Sequence, residues 1–137
     1  MAARCDMNAR VLLVDDHHEV RTSLAQRLRR DRRLELVGAA ARLEEAAELL
    51  RKSPADVVLL DVHRHDGHGL EVCRALHALT DAPVVLFTSF MTPELWAAGR
   101  EAGAAGVLLK HIDTDRLGLE ILRVAEQHRG RRQPDAP

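Results

Sequence analysis

Asp56-Val57-Val58-Leu59-Leu60-Asp61 decides how this chain folds. Four consecutive aliphatic residues stop abruptly at a carboxylate. A short, unbroken run of Val and Leu reads as a strand buried on both faces. Asp61 then stands at the strand's C-terminal end, where the chain leaves the core. In open parallel α/β sheets that edge is where ligand sites form. The residues that matter next are those that reach the same edge.

Outward from this strand, aliphatic runs and helical periodicity alternate. Val11-Leu12-Leu13-Val14 is a second apolar run, and it ends in Asp15-Asp16. Val20, Leu24 and Leu28 recur every four residues and mark one face of a helix. Its polar face carries Arg21, Arg27, Arg29 and Arg30 and reads as solvated. Leu34 to Ala40 is a strand, and Leu43, Ala46, Ala47 and Leu50 give the next helix its apolar side until Ser53-Pro54 stops it. After Asp61 comes a loop, His63 to Gly69, then a helix over about Leu70 to Leu79. Pro83 opens the run Val84-Val85-Leu86-Phe87, which ends in Thr88-Ser89. Thr92-Pro93-Glu94 combines a hydroxyl cap, proline at the first helical position and an early acid, and that helix closes at Gly103. Gly106 to Leu109 is the fifth strand, ending in Lys110. Asp113-Thr114 opens a last helix carrying Leu117, Ile121, Leu122 and Val124.

Five strands alternating with five helices predict right-handed crossovers and a doubly wound, five-stranded parallel sheet covered on both faces. At 137 residues the chain is one domain. Its expected limits are a disordered leader over residues 1–8, the domain over 9–128, and a flexible tail or linker over 129–137. Hydrophobic content of 46%, charged content of 30% and a formal net charge of -1 mark an ordinary globular protein rather than a nucleic-acid or membrane binder. No apolar run approaches the length of a membrane span, and no signal-peptide pattern opens the chain. Cys5 and Cys73 read as reduced thiols of a cytoplasmic protein. With aromatics at only 2%, the core is built from Leu, Val and Ala.

A parallel sheet gathers the strand ends on one edge. Strand one brings Asp15 and Asp16, strand three Asp61, strand four Thr88, strand five Lys110. Crowded carboxylates repel, so a cation is needed to keep them ionised. Oxygen ligands with several waters suit Mg²⁺. A carboxylate with metal, ammonium and hydroxyl around it is set up to accept a phosphoryl group. No G-x-x-x-x-G-K-[ST] or G-x-G-x-x-G loop is present, which argues against a nucleotide as direct donor. A phosphatase-like enzyme is disfavoured, because His63, not an acid, stands two residues after Asp61.

Asp15-Asp16, Asp61, Thr88-Ser89 and Lys110, in this order and at these spacings, resemble the receiver domain of bacterial two-component response regulators, with a flavodoxin-like three-layer sandwich. The resemblance covers about Arg10 to His128. Val14-Asp15-Asp16-His17, Asp66-Gly67-His68-Gly69-Leu70-Glu71-Val72-Cys73-Arg74 and Ala102-Gly103-Ala104-Ala105-Gly106 are similar to the subgroup that carries a LuxR/NarL-type DNA-binding domain. The resemblance implies a signalling domain rather than an enzyme, with Asp61 as phosphoacceptor for a sensor histidine kinase. It further implies that Asp16, Asp61 and the backbone carbonyl of His63 hold Mg²⁺, that Asp15 reaches the ion largely through water, and that Lys110 pairs with Asp61 or its phosphate. Thr88 would move to bond the phosphoryl oxygen and shift the fourth helix and fifth strand between two arrangements.

Several positions depart from the family pattern. Val107 stands where an aromatic usually couples to the Thr, so the usual output switching is in question while the phosphorylation chemistry is retained. His65 replaces a common Pro, and His111 follows Lys110. The alternative function is therefore a receiver-like interaction or dimerisation module not switched by phosphate. Trp96 resembles an outward-facing position of the family's signalling surface, which with Thr88, Ser89 and Val107 would meet a partner such as a second copy of the chain. A Trp half-buried against neighbouring helices is the competing account. Six histidines, His17, His18, His63, His65, His68 and His111, fall in the loops at the acidic edge. A polar loop that tolerates His is the simplest account; a transition-metal site or pH sensitivity are the others. No helix-turn-helix segment follows His128, so DNA is expected to be met only through an output domain absent from this chain.

Overall fold

The computed structural model of the chain describes residues 8–132. Five strands, β1 (Ala9–Val14), β2 (Leu34–Ala40), β3 (Val57–Leu60), β4 (Val84–Thr88) and β5 (Ala104–Leu109), alternate with five helices, α1 (His18–Arg30), α2 (Leu43–Lys52), α3 (Gly69–Leu79), α4 (Pro93–Glu101) and α5 (Thr114–Arg132). All strand pairs are parallel, in the order β2-β1-β3-β4-β5. The order reverses between β1 and β3, where a doubly wound sheet opens its crevice.

The unbroken apolar runs are explained by two separate cores. Alternate residues of a strand face opposite sides. Val11, Leu13, Val57, Leu59, Val85 and Phe87 pack under α1 and α5, against Leu24, Leu28, Leu117 and Ile121. Leu12, Val14, Val58, Leu60, Val84 and Leu86 pack on the other face, against Ala46, Val72, Cys73, Leu76 and Ala102. Each of these twelve strand residues is 0% exposed, and each such burial is worth about 1.5–3 kcal/mol relative to an exposed side chain.

Local chemistry sets the element ends. The Thr92 hydroxyl accepts the Leu95 N–H at 3.1 Å and Pro93 opens α4. The Glu45 carboxylate reaches back to accept the Ala41 and Arg42 N–H groups, satisfying donors the first turn of α2 leaves free. Gly103, at φ 104°, turns the chain from α4 into β5; a Cβ there would be strained and would meet the His77 ring at 2.5 Å.

Some boundaries differ from those expected. α3 starts at Gly69, and β5 starts at Ala104, because Ala104 already pairs with Val84. α5 continues through Arg132, so the expected boundary after His128 falls inside a helix. The expected leader lies outside the described residues except for Asn8, as does the tail from residue 133 onward. Val20 is 39% exposed rather than buried with Leu24 and Leu28; it lies near the start of α1, beside the acidic edge. The Arg face of α1 is solvated only in part. Arg21 donates to the Asp15 carbonyl at 2.9 Å, and Arg27 donates to the Ile112 carbonyl and the Thr114 hydroxyl, tying α1 to the turn before α5. Cys73 is buried and its thiol is pushed up to about 11 by desolvation, so it stays protonated; Cys5 lies outside the described residues. Among the described residues, no helix is long and apolar enough to cross a membrane.

Candidate functional site

Strand register carries the acids to one point. The Asp15 N–H bonds the Ala40 carbonyl and the Asp61 N–H bonds the Val14 carbonyl, both at 2.9 Å, so the ladder runs right up to each carboxylate. Asp15 and Asp61 are 0% and 2% exposed. On the far side, the Lys110 N–H bonds the Thr88 carbonyl at 2.8 Å, fixing where the lysine leaves β5.

The Lys110 ammonium bridges the two buried acids, at 2.8 Å from Asp15 Oδ2 and 2.9 Å from Asp61 Oδ2. Asp61 Oδ1 accepts the His63 N–H at 2.9 Å, a local turn that aims the carboxylate. Burial pushes the Asp15 carboxyl up, but bonds from Lys110 and from the His17 N–H and ring outweigh it and hold Asp15 below the usual aspartate value. Burial likewise pushes Lys110 down, and its bonds to Asp15 and Asp61 outweigh that and raise it. The lysine is therefore firmly charged, as a bridge between two desolvated carboxylates requires.

Asp16 completes the acidic set. Its Oδ2 accepts the His65 N–H at 2.9 Å. Its Oδ1 is buried and makes no hydrogen bond, and the same is true of the Thr88 hydroxyl, 0% exposed at the end of β4. Two orphaned polar atoms beside clustered carboxylates are costly unless something else uses them. Lys110 pairs with Asp15 and Asp61, the Arg64 guanidinium lies 4.0 Å from Asp16 Oδ2, and the oxygen donors of the three acids are of the kind a divalent cation takes. A small cavity of about 180 Å³ opens here, lined by Val20, Asp61, His63, Thr88, Phe90 and Lys110, among others. A larger one, about 360 Å³, lies elsewhere, between Pro54, Thr80 and Arg129. It contains none of these acids, and size does not decide the matter for a group as small as a phosphoryl.

Comparison with known proteins gives the chain's family and fold. The response regulator receiver domain model matches residues 11–122. The chain belongs to that family. The receiver is 36% identical over 118 residues to the DNA-binding transcriptional activator DevR/DosR of Mycobacterium tuberculosis, covering 85% of this chain and 52% of that protein. It is 30% identical over 108 residues to the transcriptional regulatory protein YdfI of Bacillus subtilis, covering 79% and 51%. The chain thus spans about half the length of the curated relatives it matches. Among solved structures, the signal receiver domain of the response regulator NarL from Mycobacterium tuberculosis superimposes with a TM-score of 0.76 at 28% identity, over 87% of this chain and 97% of that one. A LuxR-family two-component response regulator from Aurantimonas sp. gives a TM-score of 0.76 at 29% identity, over 88% and 86%.

The receiver's site also contains contacts that sequence reading did not reach. His17 turns inward, with Nδ1 2.8 Å from Asp15 Oδ1, 3.0 Å from Asp61 Oδ2 and 3.4 Å from Asp16 Oδ1. Arg64, in a loop, is 8% exposed; it donates to the Ala41 carbonyl at 2.8 Å and pairs with Asp66, pinning the β3–α3 loop to the end of β2. The His63 ring stacks on Phe90, with centroids 4.2 Å apart and planes 24° apart, so the loops after β3 and β4 touch over the cavity. Nothing in residue type or spacing announces these contacts, because each depends on a loop conformation. Val107 is half-buried and packs in the same core as Leu86, its neighbour across β4–β5. Trp96 is half-buried against that core, with the Arg100 guanidinium 6.0 Å from its ring centre. Ser89 is exposed at the cavity rim.

Proposed function

We propose that this receiver accepts a phosphoryl group on Asp61 from the phosphohistidine of a sensor histidine kinase. The observation that carries this reading is the Lys110 ammonium held between Asp15 and Asp61 at a buried strand edge. In the transfer, an Asp61 carboxylate oxygen forms the new P–O bond as the P–N bond of the phosphohistidine breaks, and the imidazole nitrogen leaves with the electron pair. Lys110 offsets charge on the phosphoryl oxygens. The unpartnered Thr88 hydroxyl is the donor available to bond one of those oxygens in the product. Burial of Asp61 limits the water that would compete as acceptor.

Asp16, Asp61 and the His63 carbonyl would hold Mg²⁺, with Asp15 reaching it largely through water, and an all-oxygen donor set suits that ion. When bound, the ion supplies charge neutralisation for the incoming phosphoryl oxygens. Asp16 Oδ1, buried without a hydrogen bond, supports a cation there. A cytoplasmic location and control of transcription through an attached DNA-binding domain go with this reading, since this chain matches about half the length of relatives that are transcriptional regulators.

Incubation with Mg²⁺ and acetyl phosphate, read by intact mass, tests it. The expected result is one phosphoryl group per chain, lost with Asp61→Asn. No mass gain would instead favour a phosphate-independent docking or dimerisation module, the reading that Val107 in place of an aromatic keeps open.

A further inference from the structure

Two imidazoles at the acidic edge have no part in that reading. His17 lies in the loop after β1 and His65 in the loop after β3, yet their ring centroids are 4.2 Å apart with planes at 69°. One donor atom each from Asp16, His17 and His65 lie within 4.8 Å of one another. Donors on a tetrahedral ion with bonds of about 2.1 Å are roughly 3.4 Å apart. Closure therefore asks less than about 1 Å of movement from each side chain.

Two further observations point to a missing cation here. Asp16 Oδ1 is buried and makes no hydrogen bond. Its contact with His17 Nδ1, at 3.4 Å, is the long member of a set in which that nitrogen already sits 2.8 Å from Asp15 Oδ1. His65 is exposed, which gives an ion a path in from solvent, while its own backbone N–H, bonded to Asp16 Oδ2, holds the loop in place. Two imidazoles and one carboxylate form a mixed nitrogen–oxygen set, which favours a borderline divalent transition metal over Mg²⁺.

We propose that Asp16, His17 and His65 form a site for a divalent transition-metal ion such as Zn²⁺, with its fourth position open to water. The site goes beyond phosphoryl acceptance and shares only Asp16 with it. Occupancy would therefore compete with Mg²⁺ for that carboxylate, and Zn²⁺ would slow Mg²⁺-supported phosphorylation.

Calorimetric titration of the chelator-treated chain with Zn²⁺ tests the assignment. One ion per chain is expected, with affinity falling about tenfold or more in His65→Ala and in His65→Gln. Asp61→Asn leaves all three donors in place, altering only a neighbour 3.0 Å from His17 Nδ1, and is expected to retain one Zn²⁺ per chain. Co²⁺ in place of Zn²⁺ should give visible absorption bands that His65→Ala removes. Absence of Zn²⁺ binding overturns the proposal. So does an affinity equal to the parent's in the two His65 variants, or loss of binding in Asp61→Asn, which would put the ion among the phosphoacceptor acids instead.

Discussion

β3 and β5 deliver opposite charges to one point, Asp61 and Lys110, from very different surroundings. Val57, Val58, Leu59 and Leu60 of β3 are each 0% exposed, between β1 and β4 and under helices on both faces. β5 is an edge strand, paired only with β4, and none of its six residues is fully buried. Moving β3 would disturb two cores at once; moving β5 disturbs one ladder and a few half-buried side chains. The carboxylate proposed to take the phosphate is thus fixed by folding, while its ammonium partner sits on the less buried side of the sheet.

The most forceful way to break the comparison is to cut into β3. Leu59→Ala leaves a cavity under α1 and α5 and is expected to cost about 3–4 kcal/mol, read as a lower urea midpoint at unchanged slope. Leu109→Ala, on a β5 side chain that is 37% exposed, is expected to cost about 0.5 kcal/mol. Similar losses at the two sites would show that the strands are equally held.

Removing the ion bridge between the strands comes next. Lys110→Met leaves Asp15 and Asp61 desolvated, 2.8 and 2.9 Å from where the ammonium had been, and is expected to cost about 3 kcal/mol. Adding Asp15→Asn to Lys110→Met should recover part of that loss by removing one of two facing charges. If the double variant is less stable than the single one, repulsion between the acids is not what Lys110 relieves.

The same contrast explains what sequence reading reached. β1, β3 and β4 stand out as aliphatic runs because both faces of each are buried, and a polar residue after each run marks the sheet edge. That sufficed to gather Asp15, Asp16, Asp61, Thr88 and Lys110. β5 is weaker, since Ala104 and Ala105 are small and half-exposed, and its start was read two residues late. Loop geometry lay out of reach. His17 turned onto Asp15 and Asp61, Arg64 buried beneath the β3–α3 loop and His63 stacked on Phe90 follow from backbone paths that no periodicity encodes. The Arg face of α1 misled for a related reason: a long side chain can leave a solvated helix and still reach a carbonyl on another element.

Titration probes the bridge with a smaller effect. Asp15 is held below its unfolded value of about 3.9, so its contribution is present above that pH and is lost as pH falls through the folded value. Lys110 is raised, so its contribution is present below about pH 10.4 and is lost as pH rises through its folded value. Between these limits the bridge is intact. In metal-free buffer, the urea midpoint is expected to fall more steeply below pH 4 in the parent than in Asp15→Asn. Parallel curves would mean that Asp15 is not anchored by Lys110.

A small effect is expected at Val107, and it bears directly on whether β5 relays anything. Val107 packs beside Leu86 but is only half-buried, so Val107→Ala should cost about 1 kcal/mol. It packs in the aliphatic core rather than in the charged cluster, and the rate of phosphoryl uptake from acetyl phosphate should stay within about twofold of the parent. The Phe90 ring, stacked on His63 at the cavity mouth, is the aromatic that does reach the site. Phe90→Ala unstacks His63, the residue that orients Asp61 through its N–H, and is expected to change that rate more than Val107→Ala does. A larger rate change from Val107→Ala would return the coupling to β5 and make the two loops over the cavity bystanders.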